Sequence, residues 1–413
     1  MSLKRYRKAI KTMVNIAILG YGTVGSGVYD ILDTNGEGIA RKVGKQISVA
    51  HVLDLRDFDT HPRKEIFTKD FDVILNDASV SVVVETIGGV EPAYTFTKKA
   101  LLAGKSVVTS NKELVAKCGT ELLAIAKEKN VNYLFEASVG GGIPIIRPLH
   151  KCLAANNVTE IFGILNGTTN YILTQMIHNN KSFEEALAEA QEKGYAERNP
   201  AADVEGHDAC RKISILASLA FGNAVDSEQV YTEGITKITL EDVKLAGRLG
   251  YVIKLIGYTR NKDGKTLCRV SPMLIKKGTP LAMVEDVFNA IMVRGDSVGD
   301  VMFYGRGAGK LPTASAVLGD VIDIVSSGEN KNFIWTAGDG AFMQSHLEAD
   351  GELFVRADGV SVDEIRALFG ADTVFADSDE EVCFIAPAAS EAHMMEKIEK
   401  LGSSVKSYIR VMK

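Results

Sequence analysis

Cysteine is sparse and scattered. The five residues Cys118, Cys152, Cys210, Cys268 and Cys383 are odd in number and form no Cys-x-x-Cys or His-rich spacing. That pattern argues against a disulfide framework or a zinc site and for a reducing, cytoplasmic setting. Positive charge is not in excess either: 47 Lys and Arg against 53 Asp and Glu leave a net charge of -6. No basic footprint for nucleic acid results, although scattered lysines suit small anionic ligands. No apolar run is long enough to span a bilayer, so no membrane partner is expected. The basic opening, residues 1–11, lacks the apolar region of a signal peptide and is set outside the fold. What remains is an ordinary soluble composition over 413 residues, enough for two or three domains with large cores.

The first informative stretch is an apolar run at residues 14–19, followed at once by Gly20-Tyr21-Gly22-Thr23-Val24-Gly25. Apolar residues then recur at helical spacing, at Val24, Val28, Ile31 and Leu32. A Gly-x-Gly-x-x-Gly between a strand and a helix is the dinucleotide fingerprint in its required setting. Gly20 allows the turn, Gly22 the approach of a pyrophosphate, and Gly25 close helix packing. Thr23 and Val24 open the helix whose amides would face the phosphates. A second strand, 47–53, is followed by Asp54, which could accept from a ribose 2'-hydroxyl and repel a 2'-phosphate. Arg56, two residues on, could instead pair with that phosphate, so NAD and NADP both stay open, with a lean to NAD. Further strands are expected at 73–75, 82–85, 106–109 and 131–137, with helices at 92–103 and 113–129. Lys112 stands after the 106–109 strand, where open α/β sheets bind ligands and where a helix start disfavours a purely structural cation.

The densest chemistry lies at residues 194–212. Glu197, Asp203, Glu205, Asp208 and Lys212 precede or begin a helix that turns apolar on nearly every face from Ile213. Asp208 and Lys212 are one helical turn apart. Charges at the mouth of a core helix are costly unless paired or used, and the cluster suits an ammonium-bearing substrate and a proton-transferring lysine.

Elsewhere, Glu136 to Pro144 contains three glycines and a proline, which fits carbonyls converging on an alkali cation and equally a plain tight turn. Asn166-Gly167-Thr168-Thr169-Asn170 supplies several candidate helix caps. Strands at 252–260, 267–276, 290–294 and 301–304 suggest a second domain on a largely antiparallel sheet. Gly305-Arg306-Gly307-Ala308-Gly309 is a second glycine loop before a helix at 313–326. A linker is expected near 331–341. The tail then reads strand, helix, strand, strand, helix, strand, the order of a ferredoxin-like module.

Together these motifs resemble homoserine dehydrogenase. The resemblance covers residues 14–326 and rests on the glycine loop through Gly27, Thr109-Ser110-Asn111-Lys112-Glu113, Glu136 to Pro144, Gly163 to Leu173, Gly194 to Lys212 and Tyr304 to Gly309. It implies an α/β fold: a Rossmann-type doubly wound parallel sheet over 13–137, completed by about 306–330. An α+β substrate and oligomerisation domain over 138–305 and an ACT-like regulatory domain over 345–413 would follow. It implies reversible reduction of L-aspartate 4-semialdehyde to L-homoserine with NAD or NADP, on the route to threonine, isoleucine and methionine. The type would be monofunctional, and the assembly a homodimer or homotetramer formed through the second domain's sheet.

By motif position, Lys212 would be the proton donor and acceptor and Lys112 would help place substrate and nicotinamide. Glu197 and Asp208 would hold substrate, Asp203 would support the lysine, and Gly194 and Gly309 would lie against cofactor or substrate. Glu136, Val139, Gly141 and Ile143 would bind sodium, largely through main-chain oxygens. Two departures stand out. The family often has an arginine after the second strand, where this chain has Leu53-Asp54. ACT domains carry an Asp-x-Pro-Gly turn, where this chain reads Arg356-Ala357-Asp358-Gly359-Val360-Ser361, which leaves threonine feedback open.

The chemistry of the residues agrees: hydride attack on an aldehyde builds an alkoxide that a nearby ammonium can stabilise and protonate. Homoserine oxidation, which needs the lysine neutral, is expected to rise steeply into alkaline pH. The alternatives are another dinucleotide-dependent amino-acid dehydrogenase and a non-catalytic dinucleotide sensor. A semialdehyde dehydrogenase would need a cysteine nucleophile, for which Cys118 and Cys210 are poorly placed.

Overall fold

The structure, a computed structural model, describes residues 12–327, 335–338, 340–370, 372–376 and 381–412. The basic opening, and residues 331–334 and 339 of the expected linker near 331–341, lie outside the described residues. Two compact units result: one up to Ala155 with Ser218–Ala224 and Arg306–Ala337, and a second of Asn156–Ala217, Val225–Gly305 and the chain from Gly338 onward.

The first unit opens with β1 (Met13–Leu19), α1 (Thr23–Val43), β2 (Gln46–Leu53), β3 (Phe67–Thr68), α2 (Phe71–Asn76) and β4 (Val80–Glu85). It continues with α3 (Ala93–Leu102), β5 (Ser106–Thr109), α4 (Lys112–Glu128) and β6 (Tyr133–Leu134). The six strands form one parallel sheet in the order β3-β2-β1-β4-β5-β6. Ile16 to Leu19, Val83, Val84, Val107 and Val108 are all fully buried. Unbroken apolar runs are what strands covered on both faces require.

Residues 73–75, expected as a strand, lie in helix α2. The Asp70 carboxylate accepts from the Asp72 amide at 2.9 Å and caps that helix, and a three-residue apolar run has no periodicity to oppose it. The expected strand at 131–137 is cut to Tyr133–Leu134. The chain then leaves the sheet in a 3-10 turn, Glu136–Ser138, because Glu136 turns its amide and its carboxylate to partners off the sheet.

The second unit begins with β7 (Val158–Ile164), α5 (Gly167–Asn179), α6 (Phe183–Glu192), the short α7 (Ala201–Val204) and α8 (His207–Phe221), whose last residues belong to the first unit. Next come β8 (Tyr231–Thr232), α9 (Leu240–Arg248), β9 (Tyr251–Lys262), β10 (Lys265–Lys276), β11 (Phe288–Gly295) and β12 (Gly299–Arg306). Helix α10 (Lys310–Ser327) returns to the first unit. The tail supplies β13 (Asp350–Ala357), α11 (Val362–Phe369), β14 (Val374–Ala376), β15 (Val382–Ser390), α12 (Glu391–Leu401) and β16 (Val405–Val411).

The tail does not stand apart from the second sheet. One ten-stranded mixed sheet runs β12-β11-β7-β9-β10-β16-β13-β15-β14, with β8 also on β10. The joint is a parallel pairing of Met273 with Arg410 and Leu274 with Val411. Leu353, Val355, Ile365, Phe369, Phe384 and Met394 form a separate core beneath the tail's strands. Glu391, at the start of α12, is buried and accepts from Arg269 at 3.2 Å and from Arg410 at 3.0 and 2.5 Å, tying the tail to β10.

Candidate active site

In the first unit the glycine loop joins β1 to α1. Gly20 lies at φ +90°, a conformation that favours glycine. A Cβ on Gly25 would come within 1.9 Å of the Gly20 carbonyl oxygen and 2.9 Å of the Thr86 hydroxyl. Gly22 is different: a Cβ there meets nothing within 4 Å. No side chain caps α1 at Gly22, so that residue offers no side-chain acceptor to the first-turn amides of the helix. One glycine is thus required by packing, and the other faces the open side that a pyrophosphate would fill.

Asp54 follows β2. Its carboxylate accepts from the Tyr21 amide at 2.8 Å, from the Arg56 amide and Nε, each at 3.0 Å, and from the second Arg56 guanidinium nitrogen at 2.9 Å. The Arg56 hydrogen bonds hold the Asp54 carboxyl well below the usual carboxylate range. The two residues that weigh on opposite sides of the NAD and NADP question therefore occupy one another.

At the carboxyl ends of β4 and β5, Asn111 caps α4 by accepting from the Leu114 amide at 3.1 Å, which sets Lys112 as the first helical residue, half-buried. Glu85 is fully buried at the end of β4. Burial pushes its carboxyl up to about 7, against the pull of the Thr109 hydroxyl and the Ile87 amide.

The Glu136 carboxylate accepts from the Ile145, Ile146 and Arg147 amides at 2.5, 2.7 and 2.8 Å. Among the described residues no group of three His, Cys, Asp or Glu side chains could hold a metal. Gly141 stands at φ +57° against the Gly307 carbonyl, and Gly309 at φ +120° just before α10.

In the second unit two carboxylates of the acidic stretch, Asp203 and Asp208, share Asn166, and Asp208 holds one lysine. Helix α8 starts after Gly206, which at φ +86° lets the chain turn beneath Thr232 and Val270. Asp208 falls in the first turn, where the helix dipole favours a carboxylate. Lys212 is one turn further on and 8% exposed. Its Nζ donates to Asp208 Oδ2 at 2.7 Å and to the Leu165 carbonyl at 2.8 Å. The Asn166 amide nitrogen donates to Asp203 Oδ1 at 2.7 Å and to Asp208 Oδ2 at 3.0 Å, while its oxygen caps α5 through the Thr169 amide at 2.9 Å. Asp203, Asp208 and Lys212 are thus gathered around Asn166.

Two expected members are at the surface. Glu205 is exposed and pairs with His207 at 3.2 Å. Glu197 is exposed, its backbone carbonyl accepting from Gln191 at 3.1 Å. Gly194, at φ +72°, ends the turn that presents Glu197, and Thr168 holds that turn through the Tyr195 carbonyl at 2.6 Å. Lys112 and Lys212 belong to different units. Asn166 and Glu85 were not singled out from sequence as part of a site. For Asn166 a signal existed: a cap uses only the side-chain oxygen, so a buried cap asparagine must send its nitrogen somewhere.

A glycine cradle on a parallel sheet and a buried lysine held by a carboxylate are the equipment of a dinucleotide-dependent oxidoreductase acting on a polar substrate. Residues 144–322 match the family model described as homoserine dehydrogenase, and residues 20–136 match that of the homoserine dehydrogenase NAD binding domain. Homoserine dehydrogenase of Bacillus subtilis is 45% identical over 76% of this chain and 73% of its own length. That of Synechocystis is 47% identical over 77% of this chain and 75% of its own. The crystal structure of a homoserine dehydrogenase from Thiobacillus denitrificans superposes with a TM-score of 0.90 at 34% identity, covering 97% of this chain and 99% of that one. A hyperthermophilic archaeal homoserine dehydrogenase solved in complex with NADPH covers 76% of this chain and 97% of its own, with a TM-score of 0.65 at 29% identity. The chain belongs to the homoserine dehydrogenase family and is an NAD(P)-dependent oxidoreductase that interconverts L-aspartate 4-semialdehyde and L-homoserine.

Proposed function

We propose that Lys212 is the acid and base of this reaction. The observation that carries the reading is a buried ammonium held between Asp208 Oδ2 and the Leu165 carbonyl. Bound NADH or NADPH supplies the hydride. As the aldehyde carbon accepts it, negative charge gathers on the carbonyl oxygen, and Lys212 stabilises that oxygen and gives it a proton. In the oxidative direction Lys212 takes the proton back. Asp208, held by Asn166, both orients the lysine and helps hold the substrate's ammonium. Glu197 closes on the same ammonium, Asp203 supports the lysine through Asn166, and Gly194 leaves room for the substrate.

On the cofactor side, Gly20, Gly22, Thr23, Val24 and Gly25 cradle the pyrophosphate, Asp54 faces the ribose, and Gly309 and Lys112 border the nicotinamide. Asp54 weighs for NAD. Residues 13–137 with 306–330 form the dinucleotide domain, 138–305 the substrate and oligomerisation domain of a homodimer or homotetramer, and 345–413 an ACT-like regulatory unit. The main-chain oxygens of Glu136, Val139, Gly141 and Ile143 suit sodium, and the enzyme works in the cytoplasm.

The experiment is absorbance of the reduced nicotinamide with L-homoserine and NAD or NADP, for wild type and Lys212→Ala. Turnover by wild type and a loss of about 10² to 10⁴ in the variant, with dinucleotide binding intact, is expected. A variant that turns over at the wild-type rate would remove Lys212 from the mechanism.

A further inference from the structure

No step of the reaction uses Glu85, yet this carboxylate is fully buried in the cofactor half of the molecule. Burying a carboxyl is costly unless its hydrogen bonds are made, and these ones close a ring. Glu85 Oε1 accepts from the Ile87 amide at 2.6 Å. The Ile87 carbonyl accepts from the Asn111 amide nitrogen at 3.0 Å. The Asn111 backbone amide donates to the Thr109 hydroxyl oxygen at 2.9 Å, and that hydroxyl donates to Glu85 Oε2 at 2.5 Å.

The ring spans the carboxyl ends of two adjacent parallel strands, β4 and β5. It is extended on both sides. Asn111 also donates to the Gly89 carbonyl at 2.6 Å and caps α4, whose first residue is Lys112. Thr86, the residue after Glu85, shares its one hydroxyl proton between the Leu19 and Gly20 carbonyls, each 2.9 Å away, which pins the glycine loop. Three pieces of backbone that would meet a dinucleotide are therefore fixed relative to one another: the glycine turn, the 86–89 turn and the start of α4. Glu85 is the only side chain of the ring that accepts twice through one rigid carboxyl plane, and Thr109 is the relay that both accepts and donates.

We propose that Glu85 is a positioning residue for the dinucleotide site, acting through Thr109 and Asn111 to hold the 86–89 turn and Lys112 in register with the glycine loop. The proposal rests on the reading that the dinucleotide binds at that loop. It predicts that the ring behaves as one unit, so that breaking it at either place has the same consequence as breaking it at both.

The test measures the Kd of reduced dinucleotide by its fluorescence, with kcat and the KM for homoserine, in Glu85→Gln, Thr109→Val, the double variant, Thr109→Ser and Gly22→Ala. Glu85→Gln and Thr109→Val should each raise the Kd at least about fivefold, as expected for loss of one hydrogen bond in a buried network. The KM for homoserine at saturating cofactor should stay within twofold. The double variant should be no weaker than the weaker single variant, because interaction within one network is non-additive. Thr109→Ser, which keeps the hydroxyl, should bind like wild type. If Glu85→Gln does not fold, the Thr109→Val and Thr109→Ser pair decides the matter alone. Unchanged Kd in both single variants, or full additivity in the double, overturns the positioning role. Gly22→Ala separates the two failures: if it too leaves the Kd unchanged, the location of the dinucleotide is wrong, and if it raises the Kd while the ring variants do not, only the role of Glu85 falls.

Discussion

Two alanine substitutions three residues apart in the glycine loop should have opposite signatures. At Gly25 the new Cβ would lie 1.9 Å from the Gly20 carbonyl oxygen, whereas real Cβ contacts essentially never fall below 3.0 Å, so one of the two must retreat by about 1.1 Å. The neighbour is backbone, and the same oxygen accepts the Thr86 hydroxyl at 2.9 Å, so the retreat also strains that bond. Overpacking of this kind costs about 1–3 kcal/mol and a lost hydrogen bond about 1 kcal/mol more. Gly25→Ala should therefore lose roughly 2–4 kcal/mol of stability, and dinucleotide affinity with it. At Gly22 a Cβ meets nothing within 4 Å, and φ is -78°, which alanine adopts freely. Gly22→Ala should leave stability unchanged or raise it by about 0.4–1 kcal/mol through the unfolded chain. Its Cβ would nevertheless stand where a pyrophosphate must approach the amides, and losing one charge-assisted bond, about 1.5–3 kcal/mol, raises the Kd roughly 10- to 150-fold. Denaturant unfolding and fluorescence titration with reduced dinucleotide read the two effects separately. A Gly22→Ala protein that binds dinucleotide as wild type does would refute the assignment of that open side to the cofactor.

Other consequences are as specific. The buried Glu85 carboxyl sits at about 7 when folded and near 4.3 when unfolded, so the folded chain holds a proton that the unfolded chain releases. Its contribution to stability therefore falls as pH rises from about 4 to 7, by up to roughly 3–4 kcal/mol, and Glu85→Gln should gain on wild type over that window; parallel unfolding curves would contradict this. Glu391→Gln takes the negative charge from Arg269 and Arg410, both buried, and should cost about 3–5 kcal/mol in unfolding experiments. Asp208→Asn removes the charge that Lys212 holds at 2.7 Å and should cost a similar 3–5 kcal/mol together with most of the turnover. Asp54→Ala releases Arg56 from its fork and should move the ratio of kcat/KM for NADP over NAD upward at least about tenfold; an unmoved ratio would take both residues out of cofactor selection.

The residue order alone carried the parallel sheet with its glycine turn, the helical spacing of Asp208 and Lys212, and the strand-helix order of the tail, because each is written in local periodicity or in a contiguous motif. Short runs did not carry enough period. Residues 73–75 are equally apolar in a strand or a helix, and the Asp70 cap decided for the helix. The strand expected at 131–137 stops at Leu134 because Asp320, far along the chain, accepts from the Glu136 amide at 2.8 Å. In the same way, the partners of Asn166 lie 37 and 42 residues away, and Thr109, which closes the ring on Glu85, lies on the neighbouring strand. The joining of the tail to the second sheet rests on two residue pairs between β10 and β16 that no local pattern announces. Local geometry is set by neighbours in sequence, whose preferences are legible. The partners of a buried polar group are set by which distant segments the core brings together, and only the tertiary structure decided those.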